Sequence, residues 1–149
     1  MQRRLLLVAL CAAALVLTGT AAATPPLPGF RSPSGNISCF LVSGGPDLLL
    51  CSIAHSSYAA ALQARCMHPD GSGVDWHGFA LRPAKRGELT CTGGILYNPG
   101  KYRPKYVTLP YGKSWHRGAF TCESRRTGVT CRNPGGHGLF ISRESWRLW

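Results

Sequence analysis

Ile37-Ser38-Cys39-Phe40-Leu41-Val42-Ser43-Gly44-Gly45-Pro46-Asp47-Leu48-Leu49-Leu50-Cys51-Ser52-Ile53 decides the fold. Gly44-Gly45-Pro46 has turn chemistry, since glycine reaches positive φ and proline presets its own φ. With a hairpin centred on Gly45, Ile37 faces Ile53, Cys39 faces Cys51 and Leu41 faces Leu49. Side chains alternate between the two faces of a strand, so all six share one face. Directly opposed positions lie about 4.5–5.5 Å apart at Cα, a distance that a disulfide spans. One register therefore aligns two apolar pairs and a Cys39–Cys51 bond.

A second clip lies in the segment from Leu109 to Trp149. Ala119–Thr121 and Val129–Thr130 each run into a cysteine, with the polar turn Ser124-Arg125-Arg126-Thr127-Gly128 between them. A Cys122–Cys131 bond keeps Phe120 and Val129 on one side, and Gly128 suits the left-handed position of a bulged turn. Gly35-Asn36-Ile37-Ser38-Cys39 and Gly128-Val129-Thr130-Cys131 echo one another. Their spacing differs by a residue, so they read as two similar turns.

The start of the chain has the pattern of a secretory signal. Arg3 and Arg4 precede an apolar run, Leu5–Leu17, and Ala21-Ala22-Ala23 supplies a small-residue cleavage site. The surroundings of Arg3-Arg4 do not match a twin-arginine signal, and Leu10 is too large for Cys11 to be a lipidation site. The expected organisation is a signal peptide at 1–23, a proline-rich flexible leader at 24–29 and one domain at 30–149. Six cysteines remain after cleavage, and an even count in an exported chain reads as a disulfide framework. Sequential pairing gives Cys39–Cys51, Cys66–Cys91 and Cys122–Cys131. No later stretch is long and apolar enough for a transmembrane helix.

Between the clips the signals are shorter. Ala54–Arg65 has the only helical composition and is too short to stand alone. Phe79-Ala80-Leu81 and Glu88–Cys91 read as strands around a Pro83–Gly87 turn, and Tyr106–Leu109 resumes strand character. The Thr92–Pro104 stretch reads as a loop, as does Gly112–His116. Asn36-Ile37-Ser38 matches a glycosylation sequon by coincidence of its turn. The expected fold is all-β and small: disulfide-clipped hairpins forming a sandwich or partly closed barrel, with at most one short helix.

Several of these segments also carry a resemblance. Phe30-x-Ser32-Pro33-Ser34-Gly35-Asn36-Ile37-x-Cys39, Leu109-Pro110-Tyr111-Gly112, Gly118-x-Phe120-x-Cys122-x-Ser124, Gly128-Val129-Thr130-Cys131-x-Asn133 and Gly136-His137-Gly138 with Ile141-Ser142-Arg143 resemble a family of secreted bacterial proteins defined only as a domain of unknown function. Leu139-Phe140 departs from the glycine and aromatic expected there, and Trp146 from a more usual tyrosine. The resemblance implies export and paired cysteines and carries no catalytic residue.

Charge is uneven. Thr24–Ala84 sums to zero, whereas Lys85–Trp149 sets twelve Lys or Arg against Glu88, Glu123 and Glu144, a balance of +9. That asymmetry suits a solvated basic face or an anionic partner such as a wall polymer, lipid headgroups or nucleic acid. Lys101-Tyr102-Arg103-Pro104-Lys105-Tyr106 alternates cations with rings and is the most binding-like stretch, with Tyr97 nearby. Of the other aromatics, Phe120 and Phe140 suit the core and Trp149 an exposed surface. A metal site from Cys66, His68 and His77 with Asp70 or Asp75 lacks the close ligand pairs of zinc sites, so no metal or cofactor is expected. No G-x-S-x-G elbow is present, and oxidised cysteines are not nucleophiles. The reading is an exported, non-enzymatic binding module, its partner an anionic polymer, an envelope component or a protein. One alternative is a nuclease-like hydrolase using His116, His137 and Glu123 with Arg125 and Arg126 on phosphate. The other is an inhibitor of a secreted enzyme.

Overall fold

The computed structural model describes residues 28–42, 47–92 and 106–149. The Gly44-Gly45-Pro46 turn, the signal-like segment and most of the leader lie outside the described residues. Eleven strands are present there: β1 (Gly29–Arg31), β2 (Ile37–Val42), β3 (Leu48–Ile53), β4 (Asp75–Leu81), β5 (Glu88–Thr92), β6 (Val107–Thr108), β7 (Ser114–Arg117), β8 (Phe120–Arg125), β9 (Gly128–Arg132), β10 (Gly138–Ile141) and β11 (Trp146–Leu148). One helix, α1 (Ala59–Arg65), buries Leu62. Among the described residues no helix is long and apolar enough to cross a membrane.

The register read from the sequence is the one observed. Ile37 opposes Ile53, Cys39 opposes Cys51 and Leu41 opposes Leu49, and all three cystines pair sequentially. The strands form two open sheets, in the orders β5-β4-β3-β2-β1-β6 and β11-β10-β9-β8-β7. All neighbours are antiparallel except β6, which runs parallel to β1. A single apolar cluster, drawn from both sheets, lies between them. The protein is a sandwich, and neither sheet closes into a barrel.

Both sheets contain the same five-stranded meander. Across the first, the inward row runs Phe30, Cys39, Cys51, Phe79, Leu89. Across the second it runs Trp115, Cys122, Cys131, Leu139, Leu148. In each, an aromatic leads, a cystine joins the second and third strands, and leucine ends the row. A His-Gly pair precedes the fourth-strand residue in both: His77-Gly78 and His137-Gly138. A Cβ on either glycine would strike the carbonyl of the third-strand cysteine, Cys51 or Cys131. The echo between the two clips thus extends through all five strands, which two similar turns would not produce.

Where the rows meet, the Sγ atoms of Cys39, Cys51 and Cys131 lie within 4.8 Å of one another. Phe30 packs on Trp115 and Phe79 on Trp146, with ring centroids 5.3 and 5.6 Å apart. Polar bonds join the rims. Tyr58 Oη donates to the Ser142 carbonyl at 2.8 Å, and Asn133 Nδ2 donates to the carbonyls of Arg82 and Lys85.

Three expectations need correction. Gly112–His116 is not all loop, because Ser114–Arg117 forms β7, with Trp115 opposite Cys122. Phe140 is not core: Leu139 and Ile141 take the inward positions of β10 and leave Phe140 outside. The first strand starts at Gly29 rather than after it, and the Pro28 carbonyl already accepts from Leu41 N. The one or two helical turns expected within Ala54–Arg65 are α1, Ala59–Arg65, after a bend and turn over Ala54–Tyr58.

Candidate functional site: the outer face of the second sheet

Strand alternation turns two rows of the second sheet outward. One is His116, Thr121, Arg132 and Gly138; Trp149 joins it, because Gly138 N donates to Trp149 O and Trp149 N to Gly138 O. The other is Ser114, Glu123, Thr130, Phe140 and Arg147. Glycine shapes this face twice. The Trp149 ring lies where a Cβ of Gly138 would project, and the Phe140 ring where a Cβ of Gly128 would project. Each ring therefore rests on sheet backbone, the arrangement by which an aromatic covers a glycine gap. Gly128, with φ 143°, pairs directly with Arg125.

Cations surround the rings. The guanidinium carbons of Arg147 and Arg132 stand 5.3 and 5.7 Å from the Trp149 centroid, a cation–π range. Arg126 stands 5.2 Å from the Tyr111 ring. A shallow cleft of about 270 Å³ is lined by Phe140, Ser145, Trp146 and Arg147. Residues 106–149 contain two acids, and each is held by an adjacent arginine: Glu123 by Arg125 at 2.7 Å and Glu144 by Arg143 at 3.4 Å. The Glu123 carboxylate raises the Arg125 pKa further. Lys113, Arg117, Arg126, Arg132 and Arg147 make no ion pair among the described residues.

The sequence candidates fall in different places. Lys101, Tyr102, Arg103 and Lys105 lie outside the described residues, as does Tyr97. Tyr106 is described and is buried, stacked on Phe40 at 6.1 Å; it covers the first sheet instead of standing in solvent. Trp149 is on the outer face but half-buried there rather than exposed. His116 Nδ1 lies 3.1 Å from Thr121 Oγ1 on that face. His137, whose N–H donates to Asn133 Oδ1, sits in the turn before β10, three strand spacings from β7, or about 14 Å. Glu123 points away from the core and is occupied by Arg125. The three hydrolase candidates are thus not brought to one centre. Asp70, offered as a metal ligand, instead accepts from Ser72 Oγ and N, which holds its carboxyl below the usual range. Among the described residues the one cluster of metal-ligating types is Cys39, Cys51 and Cys131, whose sulfurs are already bonded in cystines.

A family model described as a family of unknown function, DUF6636, matches residues 7–149. The chain belongs to this family. No curated protein and no solved structure matches it. The motifs that carried the resemblance to uncharacterised proteins prove architectural in this DUF6636 member. Ser32 Oγ accepts from Ile37 N, Asn36 clamps His55 through both ends of its amide, and Asn133 joins the two sheets. Gly136 takes φ 78° in its turn. These four residues lie off the outer face, whereas Gly128, Thr130 and Gly138 of the same motifs belong to it or underlie its rings. Arg132, Phe140 and Arg147 were missed as a site because only the β9–β10–β11 ladder brings them together. Aligning His77-Gly78 with His137-Gly138 would have revealed β10 and turned Phe140 outward.

Proposed function

We propose that this chain is an exported, disulfide-stabilised module that binds an anionic polymer of the envelope or extracellular space without acting on it chemically. The observation that carries this reading is the outer face of the second sheet, where Arg132 and Arg147 flank Trp149 with no carboxylate partner among the described residues. Three cystines suit an oxidising compartment, and the signal pattern at 1–23 supports the same reading. Guanidinium groups suit phosphate and carboxylate oxygens, which their planar donor fork matches. Exposed charges are screened over about 8 Å at physiological salt, so attachment should weaken as salt rises.

The test is titration of the mature protein with wall polymer, acidic polysaccharide and nucleic acid at low and high salt. Binding at low salt should fall steadily with added salt. Arg132→Gln and Arg147→Gln should each weaken it about fivefold, the scale of one cation near an anionic surface. No polyanion bound at low salt removes the proposal. A polymer shortened by the parent protein but left intact by His116→Ala or His137→Ala would establish a hydrolase instead.

A further inference from the structure

We infer that the polymer taken by this face is a single-stranded nucleic acid, its bases stacked on Phe140 and Trp149 and its phosphates on Arg132 and Arg147. This rests on the reading of the outer face as the anion site and narrows it to one ligand class.

The repeated meander separates what the architecture needs from what it does not. The central inward row agrees in kind between the two sheets. The outward positions of the first sheet that correspond to Arg132, Phe140, Arg147 and Trp149 are Ser52, Ala80, Glu88 and Thr90. A five-stranded sheet of this kind therefore forms without rings or arginines at those places. Two aromatics and two arginines give the second sheet an outer face that its counterpart does without, even though the rings also cover Gly128 and Gly138.

The chemistry of the face selects the ligand. Arginine only donates hydrogen bonds, and the Glu123 carboxylate is taken by Arg125. Saccharide rings carry hydroxyl donors that need acceptors, and the face has few to offer: Ser114, Thr121 and Thr130, with Thr121 already beside His116. Phosphodiesters only accept, and bases present π-faces that stack on aromatic rings whatever their sequence. Sheet surfaces carrying such rings are a recurrent platform for single strands. The two rings lean apart, Phe140 onto Gly128 and Trp149 onto Gly138, glycines at opposite ends of the β9–β10 ladder. That sets the two rings towards opposite ends of the ladder and not in one stack. A strand must be unpaired and splayed to use both. The cleft beside Phe140 and Arg147 is open and shallow, as entry of a flat ring from solvent requires.

The test uses the mature protein with oligo-dT, a duplex of equal length, polyphosphate and an acidic polysaccharide, at one low salt concentration. Oligo-dT should bind tightest and quench tryptophan emission. Trp149→Ala and Phe140→Ala should each weaken it about five- to a hundredfold, the range for one base stacked on one ring, and should leave polyphosphate binding unchanged. Both rings lie outside the buried core; should one variant unfold in a thermal melt, the other carries the comparison. Equal affinity for polyphosphate or duplex, or loss of neither on removing the rings, overturns the inference while anion binding stands. Preference for the polysaccharide also overturns it. Absence of binding to all four removes both readings.

Discussion

Every polar atom of the Asn133 side chain is engaged. Its Nδ2 donates to Arg82 O at 2.7 Å and Lys85 O at 2.9 Å, and its Oδ1 accepts from His137 N at 3.1 Å. The residue is 7% exposed, so water cannot readily replace those bonds. Asn133→Ala strands two carbonyls and an amide and should cost about 2–4 kcal/mol, read from the urea midpoint. Ser124 is the contrasting case. It is fully buried, and its hydroxyl has no hydrogen-bond partner among the described residues. It opposes Val129, in the place where the first sheet sets Leu41 against Leu49. Ser124→Ala removes an unsatisfied hydroxyl and should leave stability within about 0.5 kcal/mol of the parent or raise it. A loss of several kcal/mol would mean that the hydroxyl has a partner after all.

At the scale of elements, the cystines divide by what surrounds them. Chain entropy alone ranks Cys66–Cys91 first, since it closes the longest loop, 25 residues against 12 and 9, for about 3 kcal/mol. Packing reverses that order. Cys91 is exposed, whereas Cys122 and Cys131 are fully buried and the Cys131 sulfur lies against the Cys39–Cys51 bond. The Cys122→Ala/Cys131→Ala pair therefore loses loop closure and also opens a void in the centre of the sandwich. It should be less stable in urea than Cys66→Ala/Cys91→Ala, and the opposite order would show that loop length governs. The same division explains which elements were legible. The β2–β3 hairpin could be read because one register satisfied apolar alternation and cysteine pairing together. Strand β7 could not, because Trp115 alone among its four residues is even half-buried, and so short a strand gives no period to count. Strand β10 was hidden for a similar reason: Gly136-His137-Gly138 has turn composition, while Gly138 is a strand residue whose missing Cβ makes room for the Cys131 carbonyl and the Trp149 ring.

Considered as a whole, the molecule is two meanders that each leave one apolar face uncovered and bury it against the other. The sandwich, and the inward side of the β8–β9 hairpin, were legible from hairpins and cysteines; the outward rows of the second sheet were not, because they depend on β7, β10 and β11 pairing with it. Tyr58 is one bolt across this division. It precedes α1, packs beside Trp76 and Phe79 of the first sheet, and donates to Ser142 O beyond the end of β10. Burial pushes its pKa up to about 12 from the usual 10.0. A tyrosine is neutral when protonated, so a raised folded value means that the native state holds this proton more tightly than the unfolded chain does. Its contribution is fully present below pH 10, where both states are protonated. Between pH 10 and about 12 unfolding releases the proton, and stability falls by linkage. Tyr58→Phe lacks both the bond and the titration. It should cost about 1 kcal/mol near neutral pH, the net worth of one hydrogen bond. The gap to the parent should close and then reverse as pH rises from 10 towards 12, since two pKa units are worth about 2.7 kcal/mol, less what solvent screening removes at a half-buried group. Taking the difference between the two proteins cancels the other tyrosines and the lysines, which titrate in both. A gap constant over that range in urea melts would show that the Tyr58 hydroxyl is not held in the fold as described.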